Sequence, residues 1–174
     1  MAQPRLVAIT GAGGLIGGLL TRHLAGRYDV RPLGRDDADV TDLAALERVF
    51  EGADAVVHLA ATAAVDSPWE AVLEANVIGA YNVYEAAHRA GVERVVFASS
   101  NHAVGMYQWD DAGFTDPSDP QIVPTSAPVR PDSMYGASKV WGEAVGRYYV
   151  ERLEALSVIS VSYTHLTLPT IYSV

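Results

Sequence analysis

Thr10-Gly11-Ala12-Gly13-Gly14-Leu15-Ile16-Gly17 is a glycine-rich turn set between an apolar run and a stretch of helical spacing, and few folds accommodate that arrangement. Leu6-Val7-Ala8-Ile9 has the character of a buried parallel strand. Ile16, Leu19, Leu20 and Leu24 recur at the intervals of a helix between residues 15 and 25. The order strand, glycine turn, helix assigns a purpose to each glycine. Gly11 would permit the tight turn, Gly14 would let the backbone approach a pyrophosphate, and Gly17 would let the helix pack closely on the strand. The phosphates would then lie at the positive N-terminus of the helix. Glycines that serve only a tight turn would look the same in isolation, so the remainder of the chain decides.

The remainder repeats the alternation. A second strand is expected over residues 28–33, followed by Gly34-Arg35-Asp36-Asp37, where a dinucleotide fold reads the adenosine ribose. Asp36 would suit a free 2′-hydroxyl and Arg35 a 2′-phosphate, which leaves NAD and NADP both open. Asp39-Val40-Thr41-Asp42 leads into a short helix ending near Phe50, with Thr41 or Asp42 as its N-cap. Residues 53–61 form a third strand running out into small residues, Leu59-Ala60-Ala61, as needed where backbone lies against a flat ligand; His58 within it is read as structural. A long helix is expected over residues 68–90, capped by Ser67 and terminated at Gly91. Gly79 in its interior costs roughly 1 kcal/mol relative to alanine, which points to a close backbone approach, and Asn76 is a polar exception that could hold active-site backbone or simply face solvent.

A fourth strand over residues 93–99 ends in Ser99-Ser100-Asn101-His102. Four strands alternating with helices predict a Rossmann-type doubly wound parallel sheet, an α/β fold whose ligands bind at the carboxyl ends of the strands. The pattern breaks over residues 103–132, where prolines and aspartates crowd together, and a substrate-facing loop is expected. A further helix over residues 133–156 and the start of a fifth strand at 156–161 follow.

Composition narrows the partners. A formal charge of −9 argues against nucleic acid or an anionic membrane surface. The absence of cysteine removes disulfides and thiolate metal sites, and no metal site is expected. No run approaches the ~18 apolar residues of a membrane span, so a soluble cytoplasmic location is the default. Of 12 basic residues only Lys139 is a lysine. It lies four residues after Tyr135, on one helix face, where a cation favours the phenolate and makes tyrosine a usable acid/base. A compact ammonium, able to donate to ribose hydroxyls, suits that work better than a planar guanidinium.

With these residues assembled, the chain resembles the extended short-chain dehydrogenase/reductase family, also described as the NAD-dependent epimerase/dehydratase family. The resemblance rests on the glycine turn, Asp39-Val40-Thr41-Asp42, His58-Leu59-Ala60-Ala61, Asn76 followed by Gly79, and Ser99-Ser100 with Tyr135 and Lys139. The stretches from Ser99 to Tyr107 and from Arg130 to Gly136 are similar to uronate dehydrogenases and related glucose-6-phosphate dehydrogenases, which oxidise the anomeric carbon of a pyranose to a lactone. The resemblance implies that Tyr135 takes the anomeric proton, Ser100 hydrogen-bonds the same oxygen, Lys139 lowers the tyrosine's pKa and holds the nicotinamide ribose, and Asn101 and His102 contact sugar hydroxyls. It implies a cofactor, NAD with NADP also possible, held by Gly11, Gly14, Leu15, Ile16, Gly17, Arg35, Asp36, Asp39, Val40, Leu59, Ala60, Ala61, Asn76, Tyr135 and Lys139, and a homodimer through the two long helices.

Two departures accompany it. Thr62-Ala63-Ala64-Val65 stands where uronate dehydrogenases have a substrate-contacting serine. Residues 162–174 do not fit the family's continuation and look artefactual, so residues 1–161 are expected to be a nucleotide-binding domain truncated before the C-terminal substrate lobe, and this chain is expected to turn over nothing. The rival functions are a nucleotide-sugar epimerase with the same serine, tyrosine and lysine, and a dinucleotide-binding regulator without turnover.

Overall fold

The computed structural model describes residues 5–108, 123–124 and 126–162, together with the backbone of 171–173. Five parallel strands and one antiparallel strand form a single sheet in the order β2-β1-β3-β4-β5-β6. They are β1 (Leu6–Thr10), β2 (Asp29–Leu33), β3 (Ala55–His58), β4 (Arg94–Ala98), β5 (Ser157–Val161) and the antiparallel β6 (Ile171–Ser173). Between them run helices α1 (Leu15–Leu24), α2 (Leu43–Phe50), α3 (Trp69–Val72), α4 (Gly79–Arg89) and α5 (Met134–Glu151). The predicted parallel α/β architecture is the one observed.

Side chains alternate across the strands and so divide the core in two. Ala8, Val56, Val95, Phe97 and Val158 face α2, α4 and α5, where Leu46, Phe50, Tyr84 and Tyr149 complete the larger cluster. Each fully buried apolar side chain of this size contributes about 1.5–3 kcal/mol. Val7, Ile9 and Val57 face the other way, against Leu20 and Leu24 of α1. The helical spacing at the start of α1 does not find the same use: Leu15, Ile16 and Leu19 are 83%, 66% and 53% exposed. Periodicity fixes which residues share a face, but only the second half of α1 lies over strands.

Helix boundaries follow local chemistry with two differences. Asp42 is the N-cap of α2, its carboxylate accepting from Ala45 N at 2.9 Å, and Ser133 caps α5 by accepting from Gly136 N. Ser67 caps nothing. Pro68 is the N-cap of α3, and its carbonyl accepts from Val72 N. At the other end α5 stops at Glu151 rather than reaching 156, because Glu154 turns to φ 50° and delivers the chain to β5 with Leu156 buried. No glycine or proline marks that turn in the sequence. The expected long helix is interrupted by a π-helical turn, Leu73–Ile78, between α3 and α4. Gly79 makes the close approach its cost suggested: a Cβ there would meet Val40 Cγ2 at 2.7 Å. Among the described residues no helix is long and apolar enough to cross a membrane.

Candidate active site

The glycine turn joins β1 to α1 in the expected way. Gly11 takes φ +71°, and a Cβ there would stand 2.7 Å from Ala60 N, so the turn is pressed against the end of β3. At Gly17 a Cβ would collide with the Gly11 carbonyl and approach Ala12 Cα to 2.7 Å; the helix therefore packs on the turn itself rather than on the strand. Gly14 is the N-cap of α1 and, having no side chain, leaves the first turn of the helix without a side-chain cap. Uncapped N–H groups and the helix dipole make that end a site for an anion such as a pyrophosphate.

In front of it lies a cleft of about 520 Å³ across the carboxyl ends of β1, β2 and β3. The predicted residues Gly11, Gly14, Arg35, Asp39, Val40, Leu59, Ala60 and Ala61 line it, joined by Thr10, Leu33, Gly34, Ala38, Thr41, Thr62, Ala71, Glu74 and Ala75. Most of the additional residues are small or sit beside a predicted one, Leu33 and Glu74 being the exceptions, and only the convergence of three strand ends reveals them. Of the residues expected to hold the cofactor, Leu15, Ile16, Gly17, Asp36, Asn76, Tyr135 and Lys139 are not part of this wall. Arg35 stands there with its side chain 85% exposed, 3.9 Å from the Asp39 carboxylate. The Asp39 carboxyl is held below its usual range by the Thr41 backbone N–H and hydroxyl. Asp37 turns inward to accept from Gly34 N at 2.7 Å. An open cleft, an uncapped helix end and small residues along β3 fit a dinucleotide.

Asn76 resolves in favour of backbone support. From the π-helical turn its Oδ1 accepts from Thr62 N at 2.8 Å, and its Nδ2 donates to Thr62 O and Ser138 Oγ at 3.0 Å each. The extra residue of a π turn places this side chain between the end of β3 and α5, a use typical of such turns at functional sites. His58, as expected, is internal. It pairs with the Thr10 hydroxyl at 2.8 Å, and burial, assisted by the Lys139 charge, pushes its imidazole down to about 3.

The second group of predicted residues forms where β4 ends. Residues 101–108 make two short 3₁₀ turns joined at Val104, and they pack on the start of α5. Gly136 makes that contact possible, since any Cβ there would collide with the His102 carbonyl. Ser100 Oγ accepts from His102 N at 3.2 Å and approaches Asn101 Oδ1 at 3.4 Å. The His102 ring lies edge-on to the Tyr135 ring at 5.7 Å. Ser100, Asn101, His102 and Tyr135 are thus gathered in one place.

Lys139 joins them from the next turn of α5, its Nζ 5.5 Å from the Tyr135 ring centre and donating to Ala98 O at 2.8 Å. Burial pushes this ammonium down to about 8. Between about pH 8 and 10.5 the unfolded chain keeps a proton that the folded chain releases, so stability rises with pH through that window. Below about pH 8 the full penalty stands, on the order of 3 kcal/mol. Lys139→Met is therefore expected to stabilise the fold by roughly 1–3 kcal/mol at pH 7, less at pH 10, after allowing for the donor lost to Ala98 O. Urea unfolding at the two pH values checks this, and a destabilised variant at pH 7 contradicts it.

An uncapped helix start facing a cleft at the carboxyl ends of parallel strands is the arrangement of a dinucleotide-binding α/β protein. The chain belongs to the NAD dependent epimerase/dehydratase family, whose family model matches residues 7–172. It is similar to the L-arabinose 1-dehydrogenase (NAD(P)(+)) of Haloferax volcanii, 46% identical over an alignment of 164 positions that covers 87% of this chain and 65% of that protein. The NAD-dependent glucose-6-phosphate dehydrogenase of the same organism is 37% identical over an alignment of 187 positions, gaps included, that covers 96% of this chain and 70% of that protein. Among solved structures, uronate dehydrogenase from Agrobacterium tumefaciens matches with a TM-score of 0.73 at 31% identity, over 87% of this chain and 57% of that one. In these three matches the chain spans 57 to 70% of the length of its counterpart.

Proposed function

We propose that this chain is the nucleotide-binding portion, residues 1–161, of an NAD(P)-dependent dehydrogenase that oxidises the anomeric carbon of a sugar, a sugar acid or a sugar phosphate to a lactone. The observation that carries the reading is the gathering of Ser100, His102, Tyr135 and Lys139 at the end of β4, on the same edge of the sheet as the cleft. The substrate class is supported by the activities named for the three similar proteins.

When bound, the nicotinamide supplies the acceptor for the C1 hydride. The chain's own residues do the rest. Tyr135 takes the anomeric proton, and Ser100 donates to the same oxygen. Lys139 holds positive charge beside the phenol and reaches the ribose, while Asn101 and His102 bind sugar hydroxyls. The uncapped N-terminus of α1, which begins beside Gly14 on the cleft wall, would hold the pyrophosphate, and Asn76 acts by fixing Thr62 at the cleft. Proton transfer of this kind contributes ~10²–10⁴ in rate, and positioning supplies the remainder.

Arg35 on the cleft wall, with Asp36 outside it, favours a cofactor bearing a 2′-phosphate. NADP is accordingly expected to bind at least as tightly as NAD. The experiment offers each cofactor with L-arabinose, glucuronate and glucose 6-phosphate to the longer protein of which residues 1–161 are proposed to be the nucleotide-binding portion, and follows the near-ultraviolet absorbance of reduced nicotinamide. Bound cofactor with no reduction by any sugar rejects the dehydrogenase reading and favours the epimerase.

A second copy of the chain is the partner proposed for the outer face of the long helices. Trp69, Ile78, Tyr81, Trp141 and Tyr148 are 41 to 52% exposed there, a concentration of large apolar side chains that a monomer rarely leaves open. A monomeric mass in solution rejects this pairing.

A further inference from the structure

We propose that Asp132 is the positioning residue for His102, holding the imidazole with its proton on Nδ1 so that the Nε2 lone pair meets a hydroxyl of the substrate beside Tyr135. The inference rests on the sugar-binding role given to His102 above and adds a residue and a direction to it.

Asp132 Oδ2 lies 2.7 Å from His102 Nδ1, and Asp132 Oδ1 accepts from the Ser133 hydroxyl at 2.9 Å. An ionised carboxylate only accepts, so Nδ1 must be the donor. A neutral imidazole with its proton on Nδ1 has an accepting Nε2, and that atom has no hydrogen-bond partner among the described residues. The Asp132 side chain is 12% exposed against 34% for His102, so the support is enclosed while the ring it supports reaches solvent. The two segments are fixed to each other by backbone as well, with Asp132 N donating to His102 O at 3.3 Å.

Gly105 shows how closely the pair is built in. A Cβ at that position would collide with Asp132 Oδ2, so the 3₁₀ segment gives up a side chain where the carboxylate reaches the ring. Ser133 meanwhile caps α5, the helix that bears Tyr135. One aspartate therefore connects the orientation of a candidate substrate contact to the start of the catalytic helix. The chemical consequence is selective: an Nε2 lone pair backed by a carboxylate accepts from a hydroxyl and repels a carboxylate or phosphate presented at the same point.

The first readout is independent of turnover. Long-range ¹H–¹⁵N correlation of the histidine rings in the 174-residue chain at pH 8, with His102→Gln to assign the signal, is expected to show His102 with its proton on Nδ1. Asp132→Asn is expected to shift the ring toward the Nε2–H form, with circular dichroism unchanged. The second readout is binding of L-arabinose in the presence of NADP, followed by calorimetry. Asp132→Asn is expected to weaken it about tenfold, the scale of one hydrogen bond, and to have no further effect in a His102→Gln background. His102 found mainly as the Nε2–H form in the unsubstituted chain overturns the proposal. So do additive effects of the two substitutions, or arabinose affinity that Asp132→Asn leaves unchanged. Failure of the dehydrogenase reading would look different: arabinose would bind and respond to Asp132 as expected, yet the longer protein that includes the substrate lobe would reduce no cofactor with any sugar.

Discussion

Tyr135→Phe, assayed in any form of the protein that reduces cofactor with sugar, is expected to lower kcat by about 10³-fold while leaving cofactor affinity within a factor of about two. The substitution removes one hydroxyl and keeps the ring. Tyr135 is only 9% exposed, and its ring lies edge-on to His102 with Lys139 Nζ near its face. None of those contacts is lost in phenylalanine, so the fold and the cleft should survive. What disappears is the group proposed to accept the anomeric proton, and Ser100 cannot replace it, because an aliphatic hydroxyl is a far weaker acid than a phenol and is not brought to its anion at neutral pH by a neighbouring cation. Stopped-flow reduction of cofactor together with calorimetric binding separates the two parameters. Loss of cofactor affinity in proportion to kcat would show that Tyr135 holds the nucleotide rather than the proton.

Gly11→Ala should act on stability and binding together. Alanine at φ +71° costs about 1–2 kcal/mol in backbone energy. Its Cβ would also stand 2.7 Å from Ala60 N and 2.9 Å from Leu59 C, both backbone atoms that cannot rotate away. Overpacking of that kind adds about 1–3 kcal/mol, so a total of about 2–5 kcal/mol is expected, a large share of the ~5–15 kcal/mol that holds a domain together. The strand ends it would separate are the walls of the cleft, so cofactor affinity should fall with stability. Gly13→Ala is the matched control. A Cβ there meets nothing within 4 Å, and its effect on urea unfolding should stay within about 0.5 kcal/mol. Equal destabilisation by the two substitutions would mean that the turn is sensitive to any side chain rather than to the contact with β3.

About half of the cleft wall, eight of its seventeen residues, was legible in the chain because its signals are local. A glycine turn, the runs that become strands, and the residues that follow each strand lie within a few positions of one another. Position in a parallel sheet brings the strand ends together without further instruction. The Tyr135 and Lys139 pair was legible for the same reason, since four residues on a helix is a fixed distance. Helix ends were read less well. Glu154 turns the chain without glycine or proline, and Pro68 displaces the cap expected at Ser67. Of the loop expected to face substrate over residues 103–132, the first part is the 3₁₀ segment ending at Gln108, and half of it, residues 109–122 and 125, lies outside the described residues.

The sequence by itself determined the sheet, the glycine turn, the helix that bears Tyr135 and Lys139, and the membership those motifs signal. Tertiary structure alone decided the contacts between segments far apart in the chain. Gly136 pressed on the His102 carbonyl, Asp132 on the His102 ring with Gly105 giving it room, and Asn76 tied to Thr62 and Ser138 are all of this kind. It also decided that Leu15, Ile16 and Leu19 stay exposed on a helix whose spacing suggested a buried face. The physical reason is the same in each case: hydrophobic period and turn chemistry act over a few residues, whereas a close approach depends on which side chain is missing on the opposite segment, and nothing local records that.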